Sequence, residues 1–334
     1  MTNYVGSSAS MIKHTSTTGG RRFLYSDVID VNKPALVALG GALTTNETKA
    51  FGYIENLRNA IRNKSDVDLF AAVYKFESLD PMLIKANAFR RAGRKIRLDM
   101  DANIAQRKET ELGIIYENEP TPGYIEDLYD IIIAPRIIRG NTALTAKNLR
   151  GVILYSHCHG AIVVNQLADM AEQQMKSTGF KNNEIKQCLS NVIVVQHNPT
   201  APLENARFTT LNFISASDDT LDYFDNFSKA ALKRDDLTPS FIGNKYANVF
   251  VASKLYVADG SEHGFSAGYQ DNGSKLTPNG KVIFAAEQNA INNAIDAAVA
   301  HAPMPSIEQL VTGNNVNIEQ MRNNGMEILK RMGR

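Results

Sequence analysis

Three reactive groups follow predicted buried strands in this 334-residue chain. They are Cys158 after the apolar run 151–155, the pair Asp218 and Asp219 after 208–214, and His263 after 254–257. In an open parallel sheet the carboxyl ends of the strands meet at one edge, where loops converge and ligands bind. A thiol, a carboxylate and an imidazole are the groups that nucleophilic catalysis uses, so we expect such chemistry at this edge.

The residues around Cys158 have the spacing of a sharp strand-to-helix turn. Ser156 and Gly160 stand two residues before and after the cysteine. A nucleophile on such a turn needs small neighbours at these positions, because larger side chains would clash with the adjoining backbone. An amphipathic helical pattern over 161–168 follows directly. The thiol is therefore predicted beside a helix N-terminus, whose dipole favours the thiolate.

This turn resembles the nucleophile turn of the α/β-hydrolase family, in which a serine stands between two glycines. The chain departs from that pattern twice, with Ser156 for the first glycine and Cys158 for the serine. Dienelactone hydrolases and polyester synthases are members of the family with a cysteine there. The resemblance extends over residues 30–300, because Cys158, Asp218 and His263 follow the family order of nucleophile, acid and base.

The resemblance implies a role for each residue. His263 takes the thiol proton, or pairs with the thiolate, and later protonates the leaving group. The turn 215–218 resembles the family turn that presents the acid, so Asp218 is our first choice to orient the imidazole. Asp219 is the reserve acid, and Asp259 ranks third. The alternative for both members of the pair is to cap the helix-like segment that follows them.

The resemblance also implies backbone donors for the oxyanion of a tetrahedral intermediate. One comes from the residue after the nucleophile, which is His159, and we choose Ala42 for the other, in the loop after the first core strand. Two origins fit a cysteine at position 158, a natural nucleophile or an engineered replacement of serine. Both leave the fold and the other triad positions unchanged.

The residues around Cys158 could also suggest a metal site, but this interpretation is weaker. His157, Cys158 and His159 are residue types that bind zinc, but neighbours on a sharp turn point in different directions, so we expect no metal. No phosphate-binding glycine motif is present either, and no cofactor is expected. Cys188 lies in a helical pattern and is interpreted as a structural thiol.

The elements that must position these groups predict an α/β fold. A strand over 34–39, a helix capped by Thr45 or Asn46 and a strand over 67–74 form the unit of a parallel sheet with helical crossovers. Further strands are predicted over 151–155, 192–195, 208–214 and 249–251 with 254–257, and helices over 281–300 and 317–332. We therefore expect a mostly parallel, doubly wound sheet of the α/β-hydrolase type with a helical insertion.

The predicted domain boundaries follow composition. Residues 1–28, rich in Ser, Thr and Gly, are expected to be a flexible polar leader. The hydrolase-like catalytic domain spans 29–302, a helical insertion over one end of the sheet spans about 80–145, and a helical tail spans 303–334.

A basic cluster lies within the predicted insertion. It consists of Lys85, Arg90, Arg91, Arg94, Lys95 and Arg97. Such a cluster is usually the solvated face of a helix. The alternative is a docking surface for an acidic or anionic partner, and the rival function is then a non-catalytic binding protein on a hydrolase scaffold.

Composition excludes several functional classes. Thirty-six basic and 35 acidic residues give a net charge of +1, so no overall field would recruit nucleic acid. No apolar run is long enough for a transmembrane helix, and the N-terminus lacks the pattern of a signal peptide. Two cysteines are too few for a disulfide framework. We expect a cytoplasmic enzyme of a small-molecule or acylated substrate, or alternatively a bacterial effector injected into a host cytosol.

Overall fold

The computed structural model describes the sheet, its helical layers and the turn at Cys158. The described residues are 9–15, 19–23, 29–41, 44, 46–74, 123–158, 160–199, 207–215, 249–252, 254–257, 276–313, 316, 319 and 323. They include most of the residues that were predicted as strands ending at the candidate site.

An eight-stranded, mostly parallel sheet forms the centre of the described residues. Its strands are β1 (Ser10–Thr15), β2 (Gly19–Phe23), β3 (Ala35–Leu39), β4 (Asp68–Val73), β5 (Val152–His157), β6 (Ile193–His197), β7 (Thr209–Ser215) and β8 (Val249–Ala252). They lie in the order β2-β1-β4-β3-β5-β6-β7-β8. β1 is antiparallel to β2 and β4, and the other six strands are parallel. The carboxyl ends of β3, β5, β6 and β7 therefore lie at one edge.

Helices cover both faces of this sheet. In chain order they are α1 (Glu47–Ala60), α2 (Gly123–Leu128), a π-helical turn (Tyr129–Ile133), a 3-10 turn (Ala134–Arg136), α3 (Thr142–Leu149), α4 (Gly160–Ser177), α5 (Asn182–Leu189), α6 (Pro278–Val299) and α7 (Ile307–Val311). One face carries α1, α6 and α7, and the other carries α2 to α5 with the two irregular turns. None of the helices in the described part of the chain combines the length and apolarity that a bilayer span requires.

Successive side chains of each strand point to opposite faces of the sheet, which explains this three-layer arrangement. Val37 and Leu154 face the helices α2 to α5, whereas Leu36 and Ile153 face α1 and α6. A strand covered on both sides is apolar at every position, and burying each such side chain stabilises the fold by about 1.5–3 kcal/mol. The helix start predicted before 51 is confirmed, since the Asn46 side chain caps α1.

The predicted fold class is confirmed at the level of an α/β fold with a mostly parallel sheet. The predicted strands 34–39 and 67–74 correspond to β3 and β4, and the three that follow correspond to β5, β6 and β7. The predicted last strand is only partly right. Residues 254–257 do not extend β8, and Tyr256 forms only an isolated bridge with Leu276.

The prediction of a flexible leader over 1–28 is wrong for the residues that form β1 and β2. These strands make a hairpin at one side of the sheet, where β2 is the outermost strand and β1 pairs along β4. Met11 is fully buried, and Lys13 donates a hydrogen bond of 2.7 Å to Asp68. The polar composition of residues 1–28 gave no sign of these strands, because β1 pairs with β4, which is distant in the sequence.

The segment predicted as an insertion is described only from residue 123 onward. That part is helical, and its apolar side chains belong to the core on one face of the sheet. Ile125, Leu128 and Leu149 are fully buried there. Residues 123–149 therefore form part of the helical layer itself.

Candidate active site

Cys158 occupies the turn between β5 and α4 in an unusual backbone conformation. Its φ is +55°, in the left-handed region, which costs a non-glycine residue about 1–3 kcal/mol. The backbone N–H of Cys158 donates to the carbonyl of His197 at 3.3 Å. The neighbouring strand β6 thus helps to hold the strained turn in place.

Gly160 allows this turn to pack against β3. A Cβ at this position would lie 2.2 Å from the carbonyl oxygen of Leu39, a separation that no side chain tolerates. On the other side of the cysteine, Ser156 is fully buried at the end of β5. The requirement for small residues two positions before and after Cys158 is therefore met.

The loop after β3 approaches the thiol closely. A Cβ on Gly41 would lie 3.1 Å from the Cβ of Cys158 and 3.6 Å from its Sγ. Glycine leaves this space open beside the sulfur. Among the described residues Cys158 is 7% exposed. The thiol is thus next to the loop that is predicted to supply one oxyanion donor.

Two tyrosine hydroxyls contact this loop. The Tyr74 hydroxyl donates to the carbonyl of Gly40 at 2.6 Å, and the N–H of Gly41 donates to the Tyr53 hydroxyl at 3.2 Å. Burial raises the pKa of Tyr53 to about 12 and raises the pKa of Tyr74 well above 10. Both hydroxyls therefore stay protonated at physiological pH.

A buried polar network lies beside the cysteine turn. His157 and His197 are partners in the register of β5 and β6, with ring centroids 5.9 Å apart. The Nδ1 of His197 lies 2.6 Å from Glu287 on α6, and both side chains are fully buried. Tyr155 donates a long hydrogen bond of 3.4 Å to the same carboxylate. The network connects α6 to the strand ends that support Cys158.

Asn198 fixes the neighbouring strand end. Its φ is +44°, and its N–H donates to the carbonyl of Phe213 at 2.8 Å. Its side-chain oxygen accepts the N–H of Ser215, also at 2.8 Å. These bonds define the position from which the chain leaves β7 toward Asp218.

Of the predicted catalytic and oxyanion residues, the structure describes Cys158 and places it on the predicted turn. The other predicted site residues lie outside the described residues. They are Ala42, His159, Asp218, Asp219, Asp259 and His263, and the same holds for the basic cluster Lys85, Arg90, Arg91, Arg94, Lys95 and Arg97. Their roles remain predictions.

Cys188 has a different environment from Cys158. It is fully buried on α5, and its thiol donates to the carbonyl of Thr142 at 3.5 Å. Burial raises the pKa of Cys188 to about 11, with a smaller contribution from the charge of Glu184. Since the thiolate is the nucleophile, a raised pKa disfavours reaction of Cys188 at neutral pH, which agrees with a structural thiol.

The described part of the chain contains no group of three or more His, Cys, Asp or Glu residues that could hold an ion. His157 contacts the Tyr53 hydroxyl through Nδ1 at 2.8 Å, and His197 contacts Glu287. These histidines take part in hydrogen bonds within the fold.

Several residues near the cysteine were not predicted from the sequence. His197 follows the predicted strand 192–195 by two residues and ends the observed strand β6, so the rule that selected Cys158 could also have selected it. Glu287 is a charged residue inside a long apolar helical pattern, which is a sign of a buried partner. Tyr53 and Tyr74 bond to the backbone, and contacts of that kind leave no pattern in a sequence.

Comparisons with known proteins identify no family, since no protein-family model and no curated protein sequence matches the chain.

Proposed function

We propose that the chain is a thiol-dependent enzyme of the α/β-hydrolase type, a hydrolase or acyltransferase with Cys158 as its nucleophile. The observation that carries the proposal is the left-handed backbone of Cys158 between a central parallel strand and helix α4. A non-glycine residue keeps such strain where the surrounding structure enforces it, and functional sites are where such residues cluster.

Three further features of the described residues support the proposal. The amino end of the 18-residue helix α4 begins beside the cysteine, and its dipole favours a thiolate. The Gly41 backbone approaches the sulfur, as a loop that supplies an oxyanion donor must. β7 ends at Ser215, just before Asp218, so the acid would emerge at the same edge of the sheet.

The proposed reaction has two steps. His263 takes the thiol proton, the sulfur attacks the substrate carbonyl, and the N–H groups of Ala42 and His159 stabilise the oxyanion. When the intermediate collapses, His263 protonates the leaving group and the acyl group stays on Cys158 as a thioester. An acceptor then attacks the thioester, its proton passes to His263, and the carbon–sulfur bond breaks. Asp218 orients the imidazole throughout.

The substrate is proposed to be an ester, thioester or amide of small or acylated molecules. A thioester intermediate reacts with amines and thiols as well as with water, so both hydrolysis and transfer follow from the same chemistry. The predicted insertion, about 80–145, is proposed to shape the substrate pocket.

Turnover of a panel of acyl esters and thioesters tests this proposal. We expect the wild-type chain to cleave at least one member, Cys158→Ala to lose that activity, and Cys188→Ala to keep it. Circular dichroism would show that both variants are folded. Equal activity of wild type and Cys158→Ala would remove Cys158 from the mechanism, and no activity with any acyl donor would favour the binding-protein alternative.

A further inference from the structure

The peptide group between Gly40 and Gly41 is held from both sides by tyrosines. Its carbonyl accepts from Tyr74 at 2.6 Å, and its N–H donates to Tyr53 at 3.2 Å. The C=O and N–H of a trans peptide point in opposite directions within one plane. Two hydroxyls at opposite edges of that plane prevent the peptide from rotating.

The following peptide group is also engaged. The carbonyl of Gly41 accepts the N–H of Thr44 at 2.8 Å. The loop is therefore fixed at two consecutive carbonyls at the point where it passes the Cys158 sulfur. A backbone fixed in this way keeps its remaining donors in one orientation, which is the property that an oxyanion site requires.

Each tyrosine is itself held in position by the fold. The Tyr74 ring stacks on Tyr124 of α2, with centroids 5.6 Å apart and planes 16° from parallel. The Tyr53 hydroxyl lies 2.8 Å from Nδ1 of His157, the residue before the nucleophile. Tyr53 thus contacts both the glycine loop and the end of β5, just before Cys158, and it fixes the spacing between them.

We propose that Tyr53 and Tyr74 are positioning residues for the oxyanion site, because they hold the peptide between Gly40 and Gly41, in the loop from which the proposed function takes one oxyanion donor. The inference rests on the proposed function, since it assumes that an oxyanion forms beside Cys158. Burial keeps the pKa of Tyr53 at about 12 and that of Tyr74 well above 10. The two bonds therefore persist over the pH range in which a thiol enzyme works.

Removing either hydroxyl tests the proposal. We expect Tyr53→Phe and Tyr74→Phe each to lower kcat for acyl transfer by about 10- to 100-fold, because small displacements of a catalytic group have effects of this size. KM should not change, since the oxyanion exists only in the transition state. Alkylation of Cys158 by iodoacetamide should also be unchanged, because displacement at a saturated carbon forms no oxyanion.

Tyr129→Phe is the matched control. It removes the hydroxyl of a half-buried tyrosine on the π-helical turn, which is not part of the network beside Cys158. This variant should keep the wild-type kcat. A merely structural role for Tyr53 and Tyr74 would instead lower alkylation and acyl transfer together, or lower neither.

Hydrogen exchange provides a measurement that needs no variant. The Gly41 amide should exchange slowly in the wild-type chain and faster in Tyr53→Phe. Exchange of this amide at the rate of an unprotected one would overturn the proposal, as would full kcat in both phenylalanine variants of an active enzyme. A wild-type chain without acyl-transfer activity would instead contradict the proposed function, and with it any catalytic role of the two tyrosines.

Discussion

Gly160 lies against the carbonyl oxygen of Leu39, so closely that a methyl group on Gly160 would be 2.2 Å from that oxygen. Helix α4 and strand β3 therefore meet backbone to backbone at the edge of the sheet where Cys158 sits. This contact brings the loop after β3 beside the thiol. It is the packing feature on which the geometry of the candidate site depends.

Substituting this glycine should destabilise the protein. We expect Gly160→Ala to lower the free energy of unfolding by about 1–3 kcal/mol or more, because the backbone of β3 must shift to admit the methyl group. Gly52→Ala is the control. Gly52 lies inside α1 with open space around it, so alanine should raise stability by about 0.5–1 kcal/mol. Urea unfolding measures both, and an equal or greater stability of Gly160→Ala would contradict the observed packing.

The two cysteines should differ in reactivity with iodoacetamide. At neutral pH we expect Cys158 to be labelled readily and Cys188 to remain unlabelled in the folded chain. Burial raises the pKa of Cys188 to about 11, so its thiol stays protonated until the pH approaches that value. Peptide mass spectrometry after a time course reads both sites. Slow and equal labelling would mean that Cys158 is a structural thiol as well.

Replacement of the predicted base or of the predicted acid should lower turnover, and the two candidate acids should differ in their effect. His263→Ala is expected to reduce kcat by about 10²- to 10⁴-fold, the usual contribution of a general base. Asp218→Asn should reduce kcat more than Asp219→Asn, which serves as its neighbouring control. Each variant should retain the wild-type circular dichroism spectrum. Full turnover by His263→Ala would remove this residue from the mechanism, and the reverse order of the two asparagine variants would make Asp219 the acid.

The contact between the N-terminal hairpin and the sheet should depend on pH. Burial acts to raise the pKa of Asp68, but hydrogen bonds from Lys13 and Lys33 outweigh it and lower the pKa below its usual 3.8. A lowered carboxyl pKa contributes stability above pH 3.8 that is lost as the pH falls further. Asp68→Asn should therefore lower the free energy of unfolding by about 1 kcal/mol at neutral pH and by progressively less in acid.

Asp296→Asn is the control for this measurement, because Asp296 pairs with Arg62 at an exposed site. It should change stability little at any pH. If Asp68→Asn lowers the free energy of unfolding equally at neutral and acid pH, the carboxylate of Asp68 does not stabilise the fold through its bonds to Lys13 and Lys33.

The sequence was sufficient to predict the parallel sheet and the turn at Cys158. The strand β3 and the run 152–155 of β5 are apolar at every position because both of their faces are covered, and such runs are visible without a structure. The turn was predicted because Ser156 and Gly160 are required by local sterics. In both cases the physical constraint acts on a few adjacent residues.

Other features depend on contacts between distant parts of the chain. The hairpin β1–β2 was predicted as a flexible leader because its stability comes from pairing with β4 and from Asp68. The bonds of Tyr53 and Tyr74 to the glycine loop join α1 and the end of β4 to the end of β3. Neither contact has a local sequence pattern, so neither could be predicted before the topology was known.

The most direct test of the central claim is mass spectrometry of the wild-type chain after brief exposure to acyl esters and thioesters. If Cys158 is the nucleophile, the peptide that contains it will gain the mass of the acyl group, the adduct will disappear when a thiol or amine acceptor is added, and Cys188 will remain unmodified. The account would be contradicted if no donor in the panel modifies Cys158, or if Cys188 acquires the acyl group to the same extent.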